Sequence, residues 1–237
     1  MARKKSYDRD QAVGDAMRAF WTRGYSNLGV REIERETALN RFALQTEFGG
    51  KQGLFLEALE NYLALSRDGA LKPLGDGGLQ GIRDFFTGLV TPGDDAARDK
   101  GCLMVNTVIE NADLSLPPVR QMTDAHYDGM RQSFQAALER AVADGELPTG
   151  FDSEAGAAFL LTFAMGVEVY IRMNDDVTAA RAQGDAIRPE IHDAFVIHPV
   201  HQVGIRWNGE DVEAAKAAQE AQRERWRRAA EELEEDE

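Results

Sequence analysis

The chain has 237 residues, of which 43% are apolar and 29% charged, as expected for a soluble globular protein of one large or two small domains. No run approaches the roughly 18 apolar residues that a membrane span needs, and the basic start leads into a polar segment unlike a secretory signal. The single cysteine, Cys102, cannot form an internal disulfide, so a reduced, cytoplasmic setting is expected.

The formal net charge of −14 argues against nucleic acid as a partner, but the distribution of charge changes that conclusion. Residues 1–60 contain ten of the 27 lysines and arginines and nine of the 41 aspartates and glutamates, which leaves 17 basic and 32 acidic side chains for the rest. A nearly neutral segment with a basic tip is therefore joined to a strongly acidic part. This asymmetry suggests that one end approaches phosphates while the other stays away from them.

The spacing of apolar residues predicts helices along most of the chain. In the first quarter it predicts helices over residues 8–23, 30–37, 40–47 and 51–68. Gly24-Tyr25-Ser26-Asn27 ends the first helix, Ala38-Leu39 forms a tight turn, and Asn40 is a good N-cap for the third helix.

Longer helices are predicted in the remainder, over residues 78–91, 99–112, 117–143 and 152–173. Pro117 and Pro118 are tolerable only in a first helical turn, so they mark a start, and Asp144-Gly145 marks the matching end. The helix at 152–173 is apolar nearly all round, which is typical of a core helix or an oligomer interface.

The pattern weakens after about residue 173. Prolines and a glycine interrupt 184–209, where residues 195–197 and 203–205 are candidate extended segments. Residues 210–235 predict a solvated, charged helix that leads into an acidic end. Gly75, Gly77 and Gly78 are expected in a short linker after Pro73.

The segment 28–55 is the most informative for function. Two short helices joined by a three- to four-residue turn bury little surface alone, but they fit a helix-turn-helix in which the first helix braces the second in the major groove. The expected inward residues are Val30, Ile33, Leu39, Leu44 and Phe48. The second helix then presents outward, near its amino-terminal end, Asn40, Arg41, Phe42, Gln45 and Thr46. Arg and Gln side chains can contact base edges bidentately, and an N-cap with free backbone N–H groups suits a phosphate.

This stretch resembles the tetracycline-repressor (TetR-like) family of bacterial regulators. Over residues 8–60 the matching positions are Phe20, Gly24-Tyr25, Val30, Ile33, Leu39, Leu44, Phe48, Lys51 and Leu54. A looser resemblance continues through residues 101–107, which look like one helix of the family's ligand-binding domain, and it weakens after about residue 175.

The resemblance implies an all-α fold with an N-terminal three-helix DNA-binding domain and a larger helical ligand-binding and dimerisation domain. The implied divisions are residues 1–52, 53–175 and an atypical acidic extension, 176–237. The implied DNA-binding positions are Arg31, Asn40, Arg41, Phe42, Gln45, Thr46 and Lys51. The implied partners are a pseudo-palindromic double-stranded DNA operator, a second copy of the chain and an unidentified small-molecule effector, with no cofactor, no metal and no membrane. Repression is the usual sign of control in the family.

The sequence departs from the family pattern at several of these positions. Gly29-Val30 stands where a hydroxyl residue often begins the bracing helix, and Thr37-Ala38 replaces the usual Ala-Gly of the turn. Glu34 replaces a small residue, Gln45 replaces a tyrosine that reaches a phosphate, and Glu47 replaces a histidine. The basic residues Arg3, Lys4 and Lys5 are either an additional DNA-contacting arm or a solvated chain end.

Other groups leave alternatives open. The resemblance suggests as ligand-pocket candidates Phe85, Phe86, Met104, Tyr127, Phe134, Phe163 and Tyr170, and each is alternatively an ordinary core residue. Cys102 is either a sensor thiol or a small buried hydrophobe. Three histidines, His192, His198 and His201, are either a metal site or exposed loop residues, because their spacing fits no strong metal motif.

Two alternatives belong to other functional classes. An enzyme is disfavoured, because the sequence contains no Ser/His/Asp order, no phosphate-binding glycine loop after a strand and no metal-binding HExxH helix. The second is a helical interaction or metal-sensing protein with reduced specific DNA binding, which the acidic balance and Glu47 keep open. A surface helical hairpin without function is the plain structural alternative for residues 30–47.

Overall fold

A computed structural model describes residues 7–93 and 95–182, and every regular element in that part of the chain is helical. The α-helices are α1 Arg9–Arg23, α2 Val30–Thr37, α3 Arg41–Phe48, α4 Lys51–Asp68, α5 Pro73–Asp76, α6 Leu79–Leu89, α7 Leu103–Leu114, α8 Pro117–Ala143 and α9 Ser153–Asn174. Two 3-10 turns, Ala96–Lys100 and Val177–Ala180, precede α7 and follow α9. The expected all-α class is confirmed.

The first three helices form an amino-terminal unit (α1–α3) whose ends are set by local chemistry. The Asp8 carboxylate accepts the Gln11 backbone N–H at 3.0 Å and begins α1, and the Asn40 side chain accepts the Ala43 N–H at 2.8 Å and begins α3. Each cap satisfies a backbone donor that the first helical turn leaves free. The predicted N-cap at Asn40 is confirmed.

The long helix α4 packs against α1 and α3 and links the amino-terminal unit to the body (α4–α9). Gly53, in the first turn of α4, allows this close packing, because a Cβ at that position would lie 1.6 Å from the Phe48 carbonyl oxygen. Only glycine fits there without a shift of the backbone. The core between these helices includes Phe20, which lies 4.8 Å from Phe55 between ring centroids.

In the body, α8 and α9 pack along each other and α6 lies against both. An aromatic cluster holds these helices together. Phe85 and Phe134 meet edge to face at 5.1 Å, and Phe86 contacts Phe163 at 5.5 Å. Phe85, Phe86 and Phe134 are at most 2% exposed, so this cluster is a packed core.

The sequence anticipated the long helices closely. The bounds predicted for α2, α4 and α8 agree with the structure, and Pro117 is the first residue of α8 as expected. The expected linker after Pro73 is wrong in part, because Pro73–Asp76 forms a helical turn. The extended segments and helix expected after residue 194, the basic residues Arg3, Lys4 and Lys5, and the histidines His192, His198 and His201 lie outside the described residues.

The last long helix, α9, has more apolar surface than its packing covers. Large side chains along it remain open to solvent, with Phe159 42%, Tyr170 39% and Met173 75% exposed. By length and composition α9 is also apolar enough to cross a membrane, which the search for uninterrupted apolar runs did not anticipate. A core or interface helix of a soluble protein meets the same criteria, so this property alone is weak evidence for a membrane.

Candidate DNA-binding interface and ligand cavity

The turn between α2 and α3 is tight and held by side chain as well as backbone. Ala38 adopts a left-handed conformation with φ of 56°, where the family pattern has glycine. The Thr37 hydroxyl donates to the Ile33 carbonyl at 2.7 Å and accepts the Leu39 N–H at 3.3 Å. Because Ile33, Thr37 and Leu39 are all buried, the turn fixes α3 against the unit's core.

The outward face of α3 carries the side chains that the sequence singled out. Arg41, Phe42, Gln45 and Thr46 are exposed, and Phe42 is exposed to 77%. Thr46 donates its hydroxyl to the Phe42 carbonyl at 2.8 Å, so its methyl and hydroxyl are held close to the helix. An exposed phenylalanine beside an arginine and a glutamine gives α3 a surface with both apolar and bidentate hydrogen-bonding groups.

Two acidic residues of α2, Glu32 and Glu36, form ion pairs within the amino-terminal unit. Arg23 contacts Glu32 at 3.2 Å and Glu36 at 2.8 Å, and Arg35 contacts Glu36 at 3.5 Å. Glu32 also accepts the Gly29 N–H at 2.9 Å. The Glu32 carboxylate therefore caps the start of α2, where the family pattern has a hydroxyl group. Arg31, in the same turn, is exposed and presents its positive charge to solvent.

Glu47, which stands where the family pattern has a histidine, has a partner. The Tyr7 hydroxyl donates to its carboxylate across the amino-terminal unit. The neighbouring Phe48 ring lies under the Arg9 guanidinium at 4.9 Å, and Arg9 pairs with Glu57 at 2.7 Å. Glu47 of α3 and Glu57 of α4 are thus held by groups of α1 and the chain before it.

Lys51, the predicted phosphate contact, begins α4 with its ammonium 4.3 Å from the centroid of the Tyr25 ring. Burial lowers the pKa of this ammonium, while the Glu110 and Glu32 carboxylates act in the opposite direction. The positive charge therefore rests on an aromatic face at the edge of the amino-terminal unit.

Glu110 joins the body to the amino-terminal unit. From α7 its carboxylate accepts the Tyr25 N–H and the Ser26 N–H, each at 2.7 Å. Gly24 makes this geometry possible, because its φ of 80° turns the chain after α1 and a Cβ there would lie 3.2 Å from the carboxylate oxygens. The Gly-Tyr pair therefore has a structural explanation in the contact with α7.

An outer cavity of about 440 Å³ lies between the amino-terminal unit and the body. Its wall includes Met17 and Trp21 from α1, Tyr62 and Leu65 from α4, and Glu168 from α9. The Trp21 indole N–H donates to the Gly101 carbonyl at 2.6 Å, which ties α1 to the start of α7. The volume is in the range of small-molecule sites.

A smaller inner cavity of about 50 Å³ adjoins the outer one and shares Tyr62 and Glu168 with it. Of the predicted pocket residues, Phe85 and Tyr127 line this inner cavity. Met104, Phe86, Phe134, Phe163 and Tyr170 line neither of the two cavities. The first three are fully buried core residues, and Tyr170 lies on the exposed side of α9.

The cavities contain ionisable groups whose pKa values burial shifts toward the neutral form. Burial raises the pKa of Glu168 to about 7, with the Arg98 guanidinium opposing the shift, and it lowers the pKa of His126 to about 4. Burial, followed by the Glu168 charge, raises the pKa of the Cys102 thiol to about 12. Cys102 is thus protonated at neutral pH, which argues against the sensor-thiol alternative.

Three residues of the cavity wall were not predicted from the sequence: Trp21, Tyr62 and Glu168. Trp21 and Tyr62 sit at helical core positions without a distinctive motif, and Glu168 is a lone carboxylate within an apolar helix. That interruption of an apolar stretch was the one available signal, because an acidic side chain among core residues calls for a partner or a function.

A helix-turn-helix with an exposed recognition face, placed on a helical body, defines a class of DNA-binding regulators. Comparison with known families agrees. Residues 14–58 match the description of bacterial regulatory proteins of the tetR family, and residues 78–187 match the tetracyclin repressor-like C-terminal domain. The chain belongs to the TetR family of transcription regulators, which are DNA-binding factors and not enzymes.

Relatives and solved structures extend this comparison. The HTH-type transcriptional repressor ComR of Escherichia coli is 26% identical over 72% of this chain and 82% of its own length. A cysteine mutant of the TetR family regulator CifR, solved with a 26-base-pair operator DNA, is 25% identical and has a TM-score of 0.66 over 79% of this chain and 99% of its own. A regulator from Chloroflexus aurantiacus shares the fold at 19% identity, with a TM-score of 0.68 over 79% of this chain and 93% of its own.

Proposed function

We propose that the chain is a ligand-responsive repressor that binds a pseudo-palindromic operator as a homodimer. The amino-terminal unit contacts DNA, and the body binds the effector and the second subunit. The exposed Arg41–Phe42–Gln45 face of α3 is the observation on which the proposal rests, because these side chains lie beyond the core of a fixed helix-turn-helix. Arg41 and Gln45 contact base edges, and Phe42 packs against a thymine methyl group.

Backbone contacts come from groups around that face. The phosphate contacts come from the starts of three helices: Arg31 of α2, Asn40 at the start of α3, and Lys51 of α4. The side-chain oxygen of Asn40 accepts the Ala43 N–H in the helix cap. The side-chain N–H2 group of Asn40 is therefore the donor toward DNA. When a phosphate binds, the Lys51 ammonium either moves away from the Tyr25 ring or contacts the ring and the phosphate together. Each phosphate neutralised weakens binding in salt by counterion release.

The exposed side of α9 supports pairing with a second copy. Small exposed residues Ala158, Thr162 and Gly166 recur at intervals of four and allow a facing helix to approach closely. Phe159 and Tyr170 flank this stripe, and their exposed surface is covered when two α9 helices cross about a two-fold axis. Two amino-terminal units then contact successive major grooves.

The effector acts from the outer cavity because α1 forms part of its wall. A ligand that fits between Trp21 and Glu168 changes the spacing of α1 from the body, and Glu110 transmits a shift of α7 to Tyr25. Release of DNA requires that the ligand binds the released arrangement more tightly than the DNA-bound one. The relative ComR is named a repressor, which supports this sign of control.

The test is selection of bound sequences from random duplex DNA at two salt concentrations, with the full-length wild type and Arg41→Ala. We expect a pseudo-palindromic motif whose enrichment collapses in the variant. Arg120→Ala, at an exposed arginine of α8 paired only with Asp124 at 3.6 Å among the described contacts, is the matched control and keeps the motif. Selection of no motif at low salt would contradict specific recognition by α3.

The dimer is tested separately by light scattering. Thr162→Arg places a charge in the middle of the α9 stripe and converts the dimer to a monomer. Gln80→Arg adds the same side chain at an exposed position of α6 and leaves the dimer intact. A wild-type monomer at micromolar concentration, or a Thr162→Arg dimer, overturns the proposed interface.

A further inference from the structure

Glu168 lies at the junction of the outer and inner cavities and forms part of both walls. No described residue forms a hydrogen bond or an ion pair with its carboxylate. An acidic group held in an apolar surrounding without a partner is costly, so such groups are rarely kept without a ligand or a function.

A second polar group without a partner belongs to a residue of the inner cavity wall. The Tyr127 hydroxyl, in the wall of the inner cavity, is buried and has no hydrogen-bond partner among the described residues. Burial and then the nearby charges, including that of Glu168, raise the pKa of this hydroxyl. Two side chains that can accept hydrogen bonds, Glu168 and Tyr127, therefore belong to the wall of one cavity and have no donor among the described residues.

The remaining walls suit a cation with an apolar body. Trp21 and Tyr62 meet edge to face at 5.0 Å and present aromatic surface, and Leu65 and Leu89 complete an apolar side. Aromatic faces attract cations in such desolvated settings.

The charged side chains that line the cavities also favour a cation as the ligand. Asp84 and Asp95 line the outer cavity with Glu168 and the Arg98 guanidinium, and Asp95 is paired with Arg18 at 3.0 Å. One N–H group of Arg98 donates to the Gly88 carbonyl at 2.7 Å. The histidine of the inner cavity, His126, is neutral at physiological pH. In the described lining, acidic side chains therefore outnumber basic ones.

We propose that the joined cavities bind a hydrophobic organic amine, with its protonated nitrogen at the Glu168 carboxylate and the Tyr127 hydroxyl and its apolar body against Trp21, Tyr62 and Leu65. The proposal rests on the proposed function only in taking this cavity as the effector site. It adds the chemical class of the effector. The ammonium donates hydrogen bonds to the Glu168 carboxylate and the Tyr127 hydroxyl, and the aromatic walls bury the rest of the ligand.

The experiment compares three probes with the same ring system by calorimetry on the full-length protein: tryptamine, a cation; tryptophol, its neutral analogue; and indole-3-acetate, an anion. We expect tryptamine to bind at least tenfold more tightly than tryptophol, and indole-3-acetate to bind least. Equal binding of tryptamine and tryptophol, tighter binding of indole-3-acetate, or no binding of tryptamine at millimolar concentration each overturns the proposal.

Variants assign the preference to the named atoms. Glu168→Gln keeps the shape and removes the charge, so the tenfold preference for tryptamine disappears while tryptophol binding remains. Tyr127→Phe weakens tryptamine binding several-fold. Glu154→Gln, an exposed carboxylate at the start of the same helix, is the matched control and leaves the preference unchanged. Loss of the preference in Glu154→Gln, or its persistence in Glu168→Gln, contradicts the assignment.

Failure of the inference and failure of the proposed function give different results. If tryptamine binds with the expected preference but leaves operator binding unchanged, the ligand class stands and the regulatory role of the cavity is wrong. If no probe shows the amine preference while the selected operator is bound through Arg41, the DNA-binding function stands and the ligand class is wrong.

Discussion

The indole N–H of Trp21 donates to the carbonyl oxygen of Gly101 over 2.6 Å, although 80 residues separate them in the chain. Both residues are buried and both line the outer cavity. The hydrogen bond therefore connects the last turn of α1 with the start of α7 beside the space where a ligand would sit. Its loss removes a direct link between the amino-terminal unit and the body.

Trp21→Phe tests that link. Phenylalanine keeps most of the apolar contact but leaves the buried Gly101 carbonyl without its donor, which costs about 1–3 kcal/mol of unfolding free energy. We expect the melting temperature to fall by several degrees in differential scanning calorimetry. An unchanged melting temperature would show that water or another donor replaces the indole.

Glu110→Gln removes the second link. The carboxylate accepts two adjacent backbone N–H groups, one on each oxygen, and an amide turns its own N–H2 group toward one of them. We expect a loss of about 1.5–3 kcal/mol in denaturant unfolding, as for hydrogen bonds to a charged group. Asp113→Asn, at an exposed position of the same helix, is the control and changes stability little. A similar loss in both variants would contradict the special role of Glu110.

Sequence patterns predicted the helices but not how their faces meet. Pro117 and Asn40 act within a few residues of themselves, so their effects were visible in the sequence. The cavity depends on Trp21 and Glu168, which lie on different helices and come together only through tertiary packing. Periodicity identifies an inward face, but it does not tell which inward residues touch a neighbour and which border an empty space.

The predicted pocket set shows the same limit. Tyr127 and Phe134 are two turns apart on α8, and both were expected in the pocket. Phe134 meets the Phe85 ring and is fully buried, whereas Tyr127 borders the inner cavity with an unpaired hydroxyl. Residue type alone did not separate them, because the packing of α6 decides which of the two is covered.

Ala38→Gly is expected to stabilise the protein. A non-glycine residue in the left-handed region costs roughly 1–2 kcal/mol, while the added freedom of glycine in the unfolded chain offsets roughly half of that. The net gain of about 0.5–1 kcal/mol is measured by chemical denaturation. Ala112→Gly, the same replacement at an exposed site within α7, is the control and destabilises by about 1 kcal/mol. Destabilisation by both would contradict strain at Ala38.

Glu168→Gln is expected to change the pH dependence of stability. Burial raises the pKa of Glu168 from 4.5 to about 7, so the folded chain keeps a proton that the unfolded chain has lost between these values. Stability therefore falls as pH rises through that window, and the cost, roughly 1–3 kcal/mol, is complete above pH 7.

The measurement is the difference in melting temperature between Glu168→Gln and the wild type from pH 4.5 to pH 8. It should be small at the acid end and grow to several degrees in favour of the variant at the alkaline end. Glu154→Gln, exposed on the same helix, supplies the control for other titrating groups. A difference that stays constant with pH would contradict the raised pKa.

Cys102 is expected to resist alkylation in the folded protein. Its thiol accepts a hydrogen bond from the Tyr62 hydroxyl at 3.3 Å, and burial raises its pKa to about 12. Since the thiolate is the reactive form, iodoacetamide at pH 7.5 should modify Cys102 at least hundredfold more slowly than free cysteine, as followed by mass spectrometry. Unfolding in guanidinium restores the ordinary rate and serves as the control. Rapid alkylation of the folded protein, together with loss of operator binding that Cys102→Ser prevents, would instead establish a reactive sensor thiol.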